Sequence, residues 1–283
     1  MLVELCGVKK NYGNFGLDCS LEVQEGCVTG LIGENGSGKT TTFKSILNLI
    51  KTEAGNVSLF GKDVGSLSSE DKEKIGVVLS DSSFSGYLTV KQIIPVMEKL
   101  YHNFHKEEFV SRCERFAIPM DKKLKEFSTG MKAKFKVLLA MSYGAKLLIL
   151  DEPTSGLDVI AREEILNLFR EFMEEEGHGI LISSHISTDL EGLCDDLYMI
   201  DHGKIVMHEE TDRILDSYGL IKTDTETFGK LDKSHIIRMR KEAFGYSCLT
   251  DEKAYYQENY PGIVVEKGSI DEVISMIVKG EKL

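Results

Sequence analysis

Gly33-Glu34-Asn35-Gly36-Ser37-Gly38-Lys39-Thr40 fits the spacing G-x-x-x-x-G-K-[ST], and it stands between an apolar run ending at Leu31-Ile32 and a helix-like stretch from Thr41 to Ile50. Between a strand and a helix, this spacing is a phosphate cradle. Glycines at positions 33, 36 and 38 tolerate positive φ and present N–H groups with no Cβ in the way. Lys39 is placed to neutralise β- and γ-phosphate oxygens, and Thr40 to bring its hydroxyl to Mg²⁺. The helix that starts there adds a positive dipole end. The candidate nucleotide contacts are Gly33, Asn35, Gly36, Ser37, Gly38, Lys39, Thr40 and Thr41, and the expected ligands are a nucleoside triphosphate and Mg²⁺.

Outward from the loop, the short apolar segments Leu2 to Val8, Leu17 to Val23 and Val28 to Ile32 recur at strand-like intervals. Val57 to Phe60 and Lys74 to Leu79 continue the strands, whereas Val90 to Leu100 and Glu107 to Ile118 carry helical apolar spacing. The stretch from about 81 to 143 therefore reads as a helical insertion. Lys146 to Leu150 is an unbroken apolar strand of the kind buried on both faces. A helix over Ala161 to Glu174 and a strand over Gly179 to Ser183 follow. Leu197 to Ile200, the turn His202-Gly203 and Ile205 to Met207 make a hairpin. The alternation predicts an α/β fold, a P-loop NTPase mixed-sheet core over 1–217. From Tyr218 the composition turns more polar, and Ser269-Ile270-Asp271-Glu272 is a capping box ahead of helically spaced Val273, Ile274, Ile277 and Val278. A small α/β appendage over 218–283 accounts for it.

With 46 acidic and 34 basic residues the net charge is −12, and no Lys/Arg tract suggests nucleic acid as a partner. The six cysteines are scattered without metal-ligand spacing and read as reduced thiols of a cytosolic protein. No apolar stretch approaches the roughly 20 residues needed to cross a bilayer, so any membrane work needs another chain for the span.

The strand ending at Leu150 runs straight into Asp151-Glu152-Pro153-Thr154, with Gly156-Leu157-Asp158 close behind. Near a phosphate loop the two carboxylates have distinct tasks. Asp151 suits metal binding through the hydration shell, and Glu152 suits orienting and deprotonating the attacking water. By itself such a pair is equally a solvated loop start. Phe127-Ser128-Thr129-Gly130-Met131 opens a helix, where Ser128 reads as an ordinary N-cap or as an anion contact. His185, just beyond the strand Ile180 to Ser184, is either structural or a donor to a γ-phosphate.

Taken in order, the phosphate loop, FSTGM, LLILDEP, SGLD and SSH resemble the nucleotide-binding subunit of ATP-binding cassette transporters, over roughly Leu2 to Met207. The resemblance implies two copies stacked head to tail. Ser128 and Gly130 of one would then close over ATP held by Gly36, Lys39 and Thr40 of the other. Asp158 would join the two sites, His185 would sense the γ-phosphate as part of the catalytic set with Glu152 and Lys39, and Tyr12 would stack on adenine. It further implies a separate transmembrane permease that holds the chain at the cytoplasmic face of the cell membrane. Two positions depart from the family. Ser80-Asp81 replaces the usual glutamine, with Asp81 the candidate metal ligand beside Thr40 and Asp151, and FSTGM replaces the commoner LSGGQ. Such departures suit the exporter branch of drug and peptide transporters with separate permeases. A soluble cassette ATPase is the alternative, expected to carry a long coiled coil or two cassettes. A small-molecule kinase would need neither FSTGM nor His185.

Overall fold

The computed structural model describes residues 1–80 and 84–283. Ten strands precede residue 211: β1 (Val3–Asn11), β2 (Gly16–Val23), β3 (Val28–Ile32), β4 (Ala54–Leu59), β5 (Lys62–Asp63), β6 (Ile75–Val78), β7 (Leu147–Asp151), β8 (Gly179–Ser184), β9 (Asp196–Asp201) and β10 (Lys204–Glu210). They form one mixed sheet in the order β5-β4-β1-β2-β10-β9-β3-β8-β7-β6. From β9 to β6 the pairings β9·β3, β3·β8, β8·β7 and β7·β6 are parallel, and β1, β2, β4 and β5 pair antiparallel at the other end. The parallel strands read as continuous apolar runs because helices such as α5 (Thr129–Ala140) and α6 (Val159–Met173) cover one face, while α1 (Lys39–Ile46) and the antiparallel end of the same curled sheet cover the other.

Alternation along β7 separates the two sides of the core. Leu148 and Leu150 join the cluster containing Phe135, Ile165 and Phe169, while Leu147 and Ile149 join Phe43, Ile46, Leu5 and Leu21. The helices on this frame are α1 (Lys39–Ile46), α2 (Ser69–Glu73), α3 (Val90–Leu100), α4 (Lys106–Arg115), α5 (Thr129–Ala140), α6 (Val159–Met173), α7 (Ser187–Glu191) and α8 (Thr211–Ser217). The expected helical insertion is built by α3, α4 and α5, which bury Ile93, Phe109 and Phe135 in the same core. The helix expected at Ala161 begins two residues earlier, where Asp158 caps it. The β9–β10 turn takes positive φ at both His202 (45°) and Gly203 (76°), the combination that matches strand twist in a two-residue hairpin.

Beyond α8 a second sheet, ordered β12-β13-β11-β14, comprises β11 (Gly219–Thr223), β12 (Ile236–Glu242), β13 (Gly245–Thr250) and β14 (Val264–Lys267), with α9 (Thr225–Lys230), α10 (Lys253–Asn259) and α11 (Ile270–Lys279). Its outer face carries a small core of Ile221, Leu231, Ile236, Cys248 and Tyr256. Leu220, Leu249, Ile270, Val273 and Met276 instead belong to the large cluster that also contains Leu190 and Leu197. The capping box of α11 forms as read from sequence: Ser269 Oγ accepts from Glu272 N, and the Glu272 carboxylate accepts from Ser269 N.

Candidate nucleotide site

The phosphate loop joins the C-terminal end of β3, buried in mid-sheet, to the N-terminus of α1, so backbone N–H groups and the helix dipole converge on one point. Gly36 (φ 85°) and Gly38 (φ 121°) occupy the left-handed side that only glycine takes without strain. Gly33 is different from its expected role. It has no positive φ, and glycine is needed there for space, because a Cβ would lie 2.3 Å from Ile200 O. Lys39 is 6% exposed and curls back over the loop, donating to Gly33 O at 2.7 Å and Glu34 O at 3.3 Å.

A cavity of about 1250 Å³ opens in front of this loop. From the loop side it is lined by Asn35, Gly36, Gly38, Lys39, Thr40 and Thr41, and from the sheet edge by Asp151, Glu152 and His185. Ser37 belongs to the loop but turns inward, its hydroxyl buried without a hydrogen-bond partner among the described residues. Lys39, Thr40, Asp151, Glu152 and His185 are thus brought together by adjacent strand ends: β3 supplies the loop, β7 the acidic pair, β8 the histidine.

Asp151, 1% exposed, is ringed by hydroxyls. Its Oδ2 accepts from Thr40 Oγ1 at 2.8 Å and from Ser80 Oγ at 3.1 Å, and its Oδ1 accepts from Ser183 Oγ at 2.8 Å. One carboxylate with hydroxyl oxygens, facing a phosphate loop, fits the hard, oxygen-seeking Mg²⁺, which completes its shell with water and substrate phosphate. Asp81, the other expected metal ligand, lies outside the described residues. Glu152 follows with φ 52°, a sparsely populated conformation for a non-glycine residue and one that active sites favour. Its Oε2 is hydrogen-bonded with His185 Nδ1, and its Oε1 is 3.3 Å from the Lys39 ammonium without hydrogen-bond geometry. The side chain that would act on water is therefore shared between a cation and an imidazole.

Ser128, Gly130 and Asp158 do not reach this cavity. They line a separate, smaller hollow between the N-termini of α5 and α6. Within the chain Ser128 is the N-cap of α5, accepting from Met131 N at 3.2 Å, and Asp158 caps α6, accepting from Ala161 N at 2.9 Å. Gly130 sits against Ala161, leaving 3.2 Å for an added Cβ. Two neighbouring helix N-termini with their dipole ends exposed form a second anion-facing surface.

The ABC transporter family profile matches residues 17–155. The chain is 31% identical over 210 residues to the ABC transporter ATP-binding protein NatA of Bacillus subtilis (strain 168), covering 71% of this chain and 83% of that one. It belongs to the ABC transporter ATP-binding family. It is also 30% identical over 220 residues to the lantibiotic transport ATP-binding protein SrtF of Streptococcus pyogenes, covering 75% of this chain and 92% of that one. Its fold is shared with a bacterial ABC transporter cassette solved as a dimer, at a TM-score of 0.66 and 20% identity, covering 74% and 99% of the two chains. The chain is an ABC ATPase, and no helix among its described residues is long and apolar enough to cross a membrane.

The roles of two cassette residues, Phe15 and Ser183, escaped sequence reading. Phe15 lines the cavity and would stand 3.1 Å from a Cβ on Gly38, while Tyr12, 52% exposed, does not line it and meets Phe15 in a stacked pair 6.5 Å between ring centres. Ser80 and Ser183 reach Asp151 through hydroxyls. Ser183 was read only as the first residue of SSH, with no role assigned to its hydroxyl. Ser80 was visible only as half of a departure from the family's glutamine.

Proposed function

We propose that this ABC ATPase powers export through a separate membrane-spanning permease, working as two copies stacked head to tail at the cytoplasmic face of the membrane. The observation that carries the two-copy reading is the separation of the phosphate cavity from the Ser128–Asp158 hollow. One chain holds both halves of an ATP site on different surfaces, and each half is completed by the other copy. The lantibiotic transport function named for the SrtF relative favours a drug or peptide cargo. The segment over 1–217 is the ATPase unit and 218–283 an accessory unit built on its side.

In this reading Gly36, Gly38 and Lys39 hold the phosphates, Phe15 and Tyr12 the base, and Thr40, Asp151 and Ser80 the Mg²⁺, which when bound screens the phosphate charge. Glu152 orients and deprotonates water in line with the γ-phosphate, and His185 fixes the Glu152 carboxylate while donating toward the phosphate. Ser128 and Gly130 of the second copy close over the nucleotide.

The test is isolation of tagged Glu152→Gln protein from detergent-solubilised host membranes with Mg-ATP, followed by mass spectrometry. A polytopic membrane protein in stoichiometric amount is the expected result. Soluble partners only would transfer the function to a stand-alone cassette ATPase.

A further inference from the structure

Asp189 is a carboxylate 3% exposed that takes no part in the site described above. It lies on α7, four residues after His185. Its Oδ2 accepts from the hydroxyl of Thr154, itself 1% exposed and two residues after Glu152, at 2.7 Å. Its Oδ1 is 3.7 Å from Arg162 Nε on α6, a buried nitrogen with no hydrogen-bond partner among the described residues. A buried charge is tolerated only where such partners compensate it, and removing one of them is costly. The three groups tie α7 to the loop after Glu152 and to the helix capped by Asp158. The opposite side of α7 is held as well: Leu190 is fully buried, and Glu191 Oε1 accepts from Ile270 N at the start of α11 at 3.3 Å.

We propose that Asp189 is a positioning residue for hydrolysis. Through Thr154 it sets the spacing between the loop carrying Glu152 and the segment carrying His185. Those two side chains come from different strands, and Glu152 sits in a backbone conformation that needs outside support. Without the Asp189–Thr154 bond, α7 can shift by a fraction of an ångström and carry His185 off the carboxylate, leaving the phosphate loop untouched. Displacements of that scale near reacting groups lower rates steeply. This inference rests on the assignment of Glu152 and His185 as the hydrolytic pair.

The experiment uses the full chain with Thr154→Val and Asp189→Asn, singly and together, beside Thr154→Ser and Glu152→Gln. For each single variant the expected result is a kcat lowered roughly tenfold or more with KM for ATP within about twofold. The double variant should fall no further, because the two residues act as one unit. Thr154→Ser, which keeps the hydroxyl, should hold near wild-type turnover. An unchanged kcat in Thr154→Val, or parallel loss of kcat, ATP affinity and thermal midpoint with additive effects in the double variant, would overturn the proposal. Should Asp189→Asn fail to fold, the Thr154→Val and Thr154→Ser pair decides it. Retained turnover in Glu152→Gln would instead overturn the assignment of the hydrolytic pair, which separates the two failures.

Discussion

The Lys39 ammonium lies 3.3 Å from Glu152 Oε1, on the carboxylate whose other oxygen is hydrogen-bonded with His185. The group suited to neutralise phosphate and the group suited to act on water are therefore neighbours. In the proposed ATPase cycle a triphosphate would compete with Glu152 for the Lys39 ammonium, because charge-assisted bonds to phosphate are strong.

Glu152→Gln keeps the shape of this pair and removes the base. ATP binding should persist while turnover drops by about a hundredfold or more. Phosphate release under single-turnover conditions, with binding followed by a fluorescent ATP analogue, checks both halves. Undiminished release would refute the role of Glu152.

Ser80 Oγ reaches Asp151 Oδ2 at 3.1 Å, so its loss removes one of three hydroxyls that, among the described residues, bond this candidate metal carboxylate. Ser80→Ala should raise the Mg²⁺ concentration needed for half-maximal ATPase activity roughly tenfold, the usual scale for a residue supporting a metal ligand. Binding of Mn²⁺ with a non-hydrolysable ATP analogue, read by electron paramagnetic resonance, should weaken in parallel. An unaltered metal titration would remove Ser80 from the site.

Phe15 lines the cavity, and Tyr12 stands outside it, stacked on Phe15. Phe15→Ala should weaken ATP binding about tenfold, within the roughly 1–3 kcal/mol of a base–aromatic contact, and Tyr12→Ala should weaken it less. Calorimetric titration of the two variants gives the order. The reverse order would make Tyr12 the principal platform for adenine.

His102 Nδ1 meets Glu73 Oε1 at 2.8 Å, and His102 N donates to Glu73 Oε2 at 3.0 Å, joining the ends of α3 and α2. The His102 hydrogen bond holds the buried Glu73 carboxyl below its usual range, and the Glu73 carboxylate raises His102 above its own. A depressed carboxyl stabilises the fold above its unfolded pKa and loses that contribution as pH falls through the folded value. A raised imidazole stabilises below its unfolded pKa and loses it as pH rises through the folded value. The pair is strongest between about pH 4.5 and 6.5. The stability gap between wild type and His102→Ala in urea should therefore be widest near about pH 5.5 and narrow toward about pH 9. A gap independent of pH would mean that the ion pair contributes nothing.

Apolar periodicity was enough to read the α/β core, and the motif order GENGSGKT, FSTGM, LLILDEP, SGLD, SSH, through its family resemblance, to group Lys39, Asp151, Glu152 and His185, which the structure places on one cavity. This was possible because a strand–loop–helix junction builds its phosphate cradle from consecutive residues, and short-range geometry is encoded locally. Buried strands such as Leu147 to Leu150 and the capping box at Ser269 were legible for the same reason, since apolar runs and caps act over a few residues.

What tertiary structure alone decided are relations between strands distant in sequence. Gly33 must be glycine because Ile200 O passes beside it, Ser183 serves Asp151 because β7 and β8 are neighbours, and Phe15 fills the cavity because the β1–β2 turn folds against Gly38. Asp189 and Thr154, 35 positions apart, meet only where α7 packs on the loop after β7. Strand order and helix packing are set by burying apolar faces from the whole chain at once, and no local pattern of residues records which surfaces will meet.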